Sequence, residues 1–448
     1  MIESDAFKLL LINLFHLNPD DIANIFCTTF NKMMVLLVTL ADKHQACPYC
    51  GFTAPKIKEY VTKEITHSAL TTQKCIIKYR ARRYKCPCCG KTYYEFNPFV
   101  FKSQKISILT VHNILKDLKD FNETFTSVAR RYHVSPTSVS TIFDNHVDIG
   151  RNPLPEIINF DEVYAFKSEK SKYVCVLLDF KKQIPVDVLP NRKKEYLLNY
   201  FQKIPLEERK KVKYACSDMY EVYRDVVHKV FPCSCMLLDY FHLSQDFHRK
   251  MNEVRIKVMK GYKDDKASDE YYLLKKFNWL LFKNPEDEDK YGRLFDVERE
   301  RKYNSHFKSY MNYYDLRRKL LEINNDLTIC YSLKLELVDF YSKSTIDNAQ
   351  VNLEHLIRSC IDTNIEEMIA FSNNLINWKQ EIINSFTIVG TEYKVEADKG
   401  QVVVCNKKVN NAIIENRNKI IKCIKNNANG YTNWSRFRNR VMYVLDPN

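Results

Sequence analysis

The stretch "EIINFDEVYAF", residues 156–166, sets two carboxylates, Asp161 and Glu162, inside an otherwise apolar run. Taking a charge out of water is costly unless a partner or an ion neutralises it. The run reads as a buried strand, and strand alternation sends Asp161 and Glu162 to opposite faces. Working outward, "SKYVCVLLDF" (171–180) and "QIPVDVLP" (183–190) read as a second and a third strand. "KKEYLLNYFQKIP" (193–205) reads as a helix, "KKVKYACSDMY" (210–220) as a strand and "YEVYRDVVHKVF" (220–231) as a helix. "SCMLLDYFHLS" (234–244) reads as a fifth strand. Three strands, helix, strand, helix, strand is an α/β pattern with a mixed sheet.

That order is the order of a ribonuclease H-like core, in which the first strand lies beside the fourth. Neighbouring strands are about 4.8 Å apart. Asp161 on the first strand and Asp218 at the end of the fourth are therefore candidates to share metal ions, which stand roughly 3.5–4 Å apart in two-metal sites. Mg²⁺, or Mn²⁺ in its place, suits carboxylate and water oxygens, and a third carboxylate is expected. Asp239, placed on the fifth strand, lies about 10 Å from the first by the same spacing and is a poorer partner. Asp179 falls where the chain turns toward the third strand. Glu162, on the opposite face from Asp161, is expected to have a structural or supporting role.

The N-terminal part has a different chemistry. "CPYCGF" (47–52) and "KCPCCGKTY" (85–93) each hold a CxxC pair followed by Gly. Four thiolates on two tight turns, Cys47, Cys50, Cys86 and Cys89, suit tetrahedral Zn²⁺. Cys88 is a spare thiol. Between the pairs, "KYRARRYK" (78–85) alternates Lys78, Arg80 and Arg82 against Tyr79 and Ala81, with Arg83 beside them, so a strand pair with a basic face for phosphate contacts is expected. "TFTSVARRYHVSPTSVSTIFD" (124–144) reads as helix, short turn and helix, with Ser135 as cap and Pro136 at the first helical position. In a helix-turn-helix the second helix enters the major groove, which points Thr137, Ser138, Ser140 and Thr141 at DNA.

Charge supports a polyanionic partner. The chain of 448 residues carries +14; residues 42–105 contribute +9 and residues 401–448 contribute +7. Two basic ends around a near-neutral middle suggest two places of contact with nucleic acid. Fifteen cysteines and the acidic start "MIESDAFKLL" suit a reducing cytoplasm, with nucleoid association when DNA is bound. The longest apolar run, "MMVLLVTLA", is about half a membrane span, so no membrane partner is expected.

Taken together, "CPYCG", "CPCCG", "FDEVYAF", "CSDMY", "DYFHL", "LLKKFNWLLFKN", "NNAIIENRNKIIK" and "GYTNWSRFRNRV", in this order and spacing, resemble the ISL-three family of bacterial insertion-sequence transposases. The resemblance covers most of the chain. It implies a DDE transposase with first Asp at Asp161, second at Asp218 and Glu at Glu415. In "NNAIIENRNKIIK", Asn411 is a candidate cap, and Ala412, Glu415 and Lys419 share a helical face. Family members usually carry a Gly after the Glu, where this chain has Asn416, and Arg417–Asn418 replaces part of an Asn pair.

The implied organisation is multidomain α/β. An N-terminal helical segment spans 1–41, a zinc ribbon 42–104 and a helix-turn-helix 105–150. A ribonuclease H-like core spans 151–245 and 401–448, interrupted by a helical insertion at 246–400. The implied function is binding of terminal inverted repeats, Mg²⁺-dependent cleavage and 3′-OH strand transfer into target DNA, with a homodimer on DNA to join two ends. A DNA-binding regulator with an inert core, and a nuclease without strand transfer, stay open at this level.

Overall fold

The computed structural model describes residues 2–446 apart from 44–45, 69–71, 103, 167–170 and 396–401. Two compact units emerge. Unit 1 comprises residues 1–151, 164–167 and 419–448; unit 2 comprises 152–163 and 168–418.

Unit 1 begins with α1 (Ile2–Leu14), followed by β1 (Ile22–Phe30), β2 (Met33–Leu40), β3 (Lys56–Thr66), β4 (Cys75–Lys85) and β5 (Thr92–Tyr94). They form one sheet in the order β1-β2-β4-β3, with β5 also on β4. The spacer between the cysteine pairs is thus the expected antiparallel strand pair, β3 on β4. The segment 1–41 is not a separate helical piece, because β2 pairs in parallel with β4. Its Leu36, Val38 and Leu40 need cover, and they share a core with Ile77, Tyr79 and Ala81 of β4. Tyr79 and Ala81 point inward, as the alternation predicts.

Three helices follow: α2 (Ile108–Asp117), α3 (Phe125–Arg131) and α4 (Pro136–His146). Ser135 caps α4 by accepting from the Ser138 N–H, with Pro136 at the first position. Val128, Ala129, Val139 and Ile142 are buried between them, and Val134 partly so. The last helix, Trp434–Leu445, belongs to this unit and not to the sheet core expected for 401–448. Its charge is used up internally. Arg436 pairs with Asp144 at 2.6 Å, and Arg438 donates to the Ile149 carbonyl at 2.6 Å. Arg440, 1% exposed, donates to the carbonyls of Asp120 and Glu123 at 2.9 Å. The three arginines of the last helix are thus engaged in packing within unit 1.

Unit 2 holds β6 (Ile157–Val163), β7 (Val174–Asp179), β8 (Pro185–Leu189), α5 (Lys194–Gln202), α6 (Leu206–Arg209), β9 (Tyr214–Ser217), α7 (Glu221–Val230) and β10 (Cys235–Leu238). The sheet order is β10-β9-β6-β7-β8. β6 is antiparallel to β7 and parallel to β9, so the first strand lies beside the fourth. Leu197, Phe201, Tyr223 and Val226 of α5 and α7 pack over Ile158, Phe160 and Leu177. Asp179 sits in the β7–β8 turn, accepting from the N–H groups of Lys181 and Lys182.

The fifth strand ends sooner than the sequence suggests. It stops at Leu238, and Asp239 is the N-cap position of α8 (Tyr240–Lys260). Leu243, Phe247, Met251 and Val254 recur at helical spacing along α8, and that face is buried in the core of the insertion. The insertion is mostly helical, as expected: α9 (Asp269–Lys276), α10 (Tyr313–Glu322), α11 (Asn325–Lys343), α12 (Ala349–Asp362), α13 (Glu366–Asn377) and α14 (Lys379–Asn384). It also carries small hairpins at 288–293 and 302–311, and a longer one, Ile388–Val395 with Val402–Lys408. The two small hairpins are largely exposed, so no apolar periodicity announces them. α15 (Ala412–Asn427) then begins in unit 2. Among the described residues, no helix is long and apolar enough to cross a membrane.

Candidate metal centres

The four cysteines of the two knuckles meet. Sulfur atoms of Cys47, Cys50, Cys86 and Cys89 all lie within 4.8 Å of one another, with Cys50–Cys86 at 3.5 Å and Cys47–Cys89 at 3.7 Å. Each knuckle closes the same way. Gly51 N–H donates to the Cys47 carbonyl and Gly90 N–H to the Cys86 carbonyl, both at 2.9 Å. Both glycines have positive φ, +75° and +70°, which side chains rarely tolerate. The backbone N–H of Cys89 leads in bringing the Cys86 thiol down to about 7. Four thiol sulfurs in a compact cluster are a donor set that fits Zn²⁺. Cys88 is exposed and outside the cluster.

The second centre lies in unit 2, where the C-terminal ends of β9 and β10 meet β6. Asp161 is 8% exposed. Its Oδ2 accepts from Asn418 Nδ2 at 2.7 Å, and its Oδ1 accepts from the Glu162 N–H at 2.7 Å. The pairing of Asn159 with Cys216, continued two residues, brings Asp161 alongside Asp218. Burial pushes Asp161 up to about 7, and the charge of Asp218 adds to it. Burial likewise pushes Asp218 up to about 6, with Glu162 and Asp239 adding. Burial also raises Asp239, with Glu415 adding. Burial is the main cause at all three, and a cation bound among them would offset it.

Glu415 comes to this place from the first turn of α15. The residues within one ion's reach of it are Asp239 and His242, all three lying within 4.8 Å of one another. Asp161 and Asp218 are outside that set of three. Asp239, judged a poorer partner from strand spacing, is better placed than expected because it stands at the N-cap position of α8, past the end of β10. Asn411 does not cap α15 with its side chain. Its Oδ1 accepts from Asn159 Nδ2 at 2.7 Å, and Asn410 Oδ1 accepts the Ala412 N–H at 3.1 Å instead. Glu162 faces away from Asp161 and pairs with Arg192, whose guanidinium lies over Tyr173 and Tyr220.

Sequence reasoning missed His242 and Asn418. The signal for His242 was present: Asp239 and His242 are three apart at a helix start, and so share a face. Nothing local could pair Asn418 with Asp161, 257 residues away.

A family model for transposases of the ISL-three DDE type matches residues 158–397, more than half of the chain. The chain belongs to the ISL-three transposase family. The transposase for insertion sequence element IS1001 of Bordetella parapertussis is similar at 20% identity over 409 residues, 91% of this chain and 90% of that protein. The family match contains Asp161, Asp218, Asp239 and His242 and ends before Glu415.

In this ISL-three transposase, the residues expected to meet DNA have unequal freedom. Arg80 is exposed, its guanidinium 4.9 Å from the Tyr60 ring centre. Lys78 pairs with Glu64 at 2.7 Å and Arg83 with Glu59 at 2.7 Å, both pairs solvent-exposed enough to exchange partners. Arg82 is turned inward and is engaged within the sheet. It pairs with buried Glu95 at 2.8 Å and donates to the Leu40 and Ala41 carbonyls. On α4, Thr137 and Thr141 are exposed, while Ser138 and Ser140 are half-buried and bonded within the helix start.

Proposed function

We propose that this transposase binds the terminal inverted repeats of its element through unit 1 and cuts and joins DNA in unit 2. The observation that carries the reading is the group of buried aspartates where β6, β9 and β10 meet, with Glu415 arriving from α15 within one ion's reach of Asp239. The sheet order supports a ribonuclease H-like core, and the capped α4 supports a helix-turn-helix whose Thr137 and Thr141 face the major groove.

Divalent ions bound at this site, Mg²⁺ or Mn²⁺, would activate water and stabilise the entering and leaving oxygens. The chain's own groups orient the site. Asn418 and the Glu162 N–H hold Asp161 in one rotamer, and the Asn411 N–H holds Asp239. Water cleaves the P–O3′ bond at the element end, leaving a 3′-OH and a 5′-phosphate. That 3′-OH attacks a target phosphodiester, whose own 3′ oxygen leaves. Two ends must be joined, so the protein acts as at least a dimer on DNA.

The test is incubation of the full chain with Mg²⁺, DNA carrying the element ends and a target plasmid, with products mapped at nucleotide resolution. Nicked ends joined to target support the reading. Cleavage without joining leaves a nuclease, and binding without cleavage leaves a regulator. Glu415→Gln is expected to lower cleavage at least about 10²-fold, about 3 kcal/mol of barrier, while DNA binding survives. Near-normal cleavage would remove Glu415 from the site.

DNA affinity should fall steeply with salt. About six phosphate contacts would lose roughly 10³-fold between 50 and 200 mM salt. Arg80→Ala should weaken all sequences alike and lower the slope of log affinity against log salt by about one. Thr137→Ala should instead change which sequence is preferred. Binding titrations on end and scrambled DNA separate the two; the reverse pattern would refute the assignment.

A further inference from the structure

We propose that His242 is a metal ligand, holding one divalent ion together with Asp239 and Glu415, and that its nitrogen makes this site prefer Mn²⁺ to Mg²⁺. The inference rests on the transposase reading above and leaves Asp161 and Asp218 to the other ion.

The distances are those of ligands around a common ion. His242 Nε2 is 3.8 Å from Asp239 Oδ2 and 3.9 Å from Glu415 Oε1. Both are too long for hydrogen bonds, which would close to about 2.8 Å. Atoms about 2.1 Å from one ion stand about 3–4 Å apart. Two of these atoms, His242 Nε2 and Asp239 Oδ2, are buried and have no hydrogen-bond partner. Buried polar atoms without such partners are uncommon, and two facing one another call for a ligand. Asp239 is 3% exposed, so its carboxylate is not there for solvent.

Each ligand sits on a rigid element. Asp239 stands at the N-cap position of α8 just past β10, His242 is three residues on in the first turn, and Glu415 is in the first turn of α15. The Asn411 N–H contacts the other Asp239 oxygen at 3.4 Å, leaving Oδ2 for the ion. Two carboxylates and one imidazole are a mixed oxygen and nitrogen set. Mg²⁺ and Mn²⁺ both suit carboxylate and water oxygens, but Mn²⁺, as a first-row transition ion, accepts an imidazole nitrogen more readily than Mg²⁺ does.

Mn²⁺ is the probe. Full-length protein is titrated with Mn²⁺ and followed by electron paramagnetic resonance, with pulsed detection of ¹⁴N coupling. Wild type is expected to show nitrogen modulation from a directly bound imidazole. His242→Ala should lose that modulation and weaken one Mn²⁺ site by at least 10-fold, with an unchanged circular dichroism spectrum and an unchanged pattern of limited proteolysis across 152–418 as the check on folding. His242→Ala should also narrow the ratio of Mn²⁺ to Mg²⁺ affinity. Absence of nitrogen modulation in wild type overturns the proposal without any variant, and unchanged Mn²⁺ binding by a folded His242→Ala does the same. If wild type shows the nitrogen ligand yet cuts no end DNA with either metal, the transposase chemistry fails and this ligand assignment stands.

Discussion

Asp161→Asn is expected to abolish end cleavage and, in the same molecule, to stabilise the metal-free protein at pH 8. The loss follows from removing a metal ligand: at least about 10³-fold in rate, roughly 4 kcal/mol of barrier. The gain follows from linkage. Asp161 lies at about 7 in the folded chain against an ordinary 3.8. Between those values the folded state binds the proton more firmly than the unfolded state, so stability is fully present below about pH 4. It is lost as pH rises through about 7. The buried charge then costs on the order of 4 kcal/mol, since one pKa unit is about 1.4 kcal/mol. Asn carries no charge and still accepts from Asn418, although it forfeits one of the two hydrogen bonds Asp161 makes. Melting curves at pH 5 and pH 8, without and with Mg²⁺, check this. The variant should melt higher than wild type at pH 8 without Mg²⁺ and lose that advantage at pH 5. Mg²⁺ should raise wild type more than the variant. Near-normal cleavage, or a lower melting point at both pH values, would remove Asp161 from a metal site.

The Cys47→Ser/Cys86→Ser double variant is expected to lose both its metal and the fold of the sheet beside it. About one zinc per chain should be found in wild type. Structural zinc contributes about 10–16 kcal/mol in finger peptides, well above what a small sheet supplies by itself. Around the cluster the buried apolar cover is slight, chiefly Tyr84 and Tyr93, so the sulfurs have little else holding them together. Removal of zinc should therefore unfold the knuckles and abolish DNA binding. Metal analysis and proteolysis between 42 and 94 follow it. Full zinc content in the double variant would end the assignment.

How much was legible in the sequence depends on the range of the interaction. The two CxxC–Gly knuckles, the Ser135–Pro136 helix start and the strand of Asp161 are local patterns, and each stands where its spacing placed it. The alternation along 78–82 also correctly put Tyr79 and Ala81 in the core. It could not tell that Arg82 bends back to Glu95, because alternation gives a face and not a partner. The C-terminal arginines misled for the same reason: net charge counts Arg436, Arg438 and Arg440 alike, whether they meet DNA or, as here, an aspartate and backbone carbonyls of unit 1.

By itself, the sequence determined the order of strands and helices in the sheet core, the family and the four cysteines that cluster, all set within a few residues or by ordered motifs. Only the tertiary structure decided which carboxylates share a centre. Strand spacing placed Asp239 about 10 Å from Asp161 on a strand read as 234–244, yet β10 stops at Leu238 and Asp239 takes the N-cap position of α8. Its carboxylate then leaves the sheet and meets Glu415 and His242. The apolar run within 234–244 suits a strand and a buried helix face alike, so no local signal marks where the one gives way to the other. That boundary is settled by burial of the face of α8 that carries Leu243, Phe247 and Met251, and burial of that kind depends on the whole insertion.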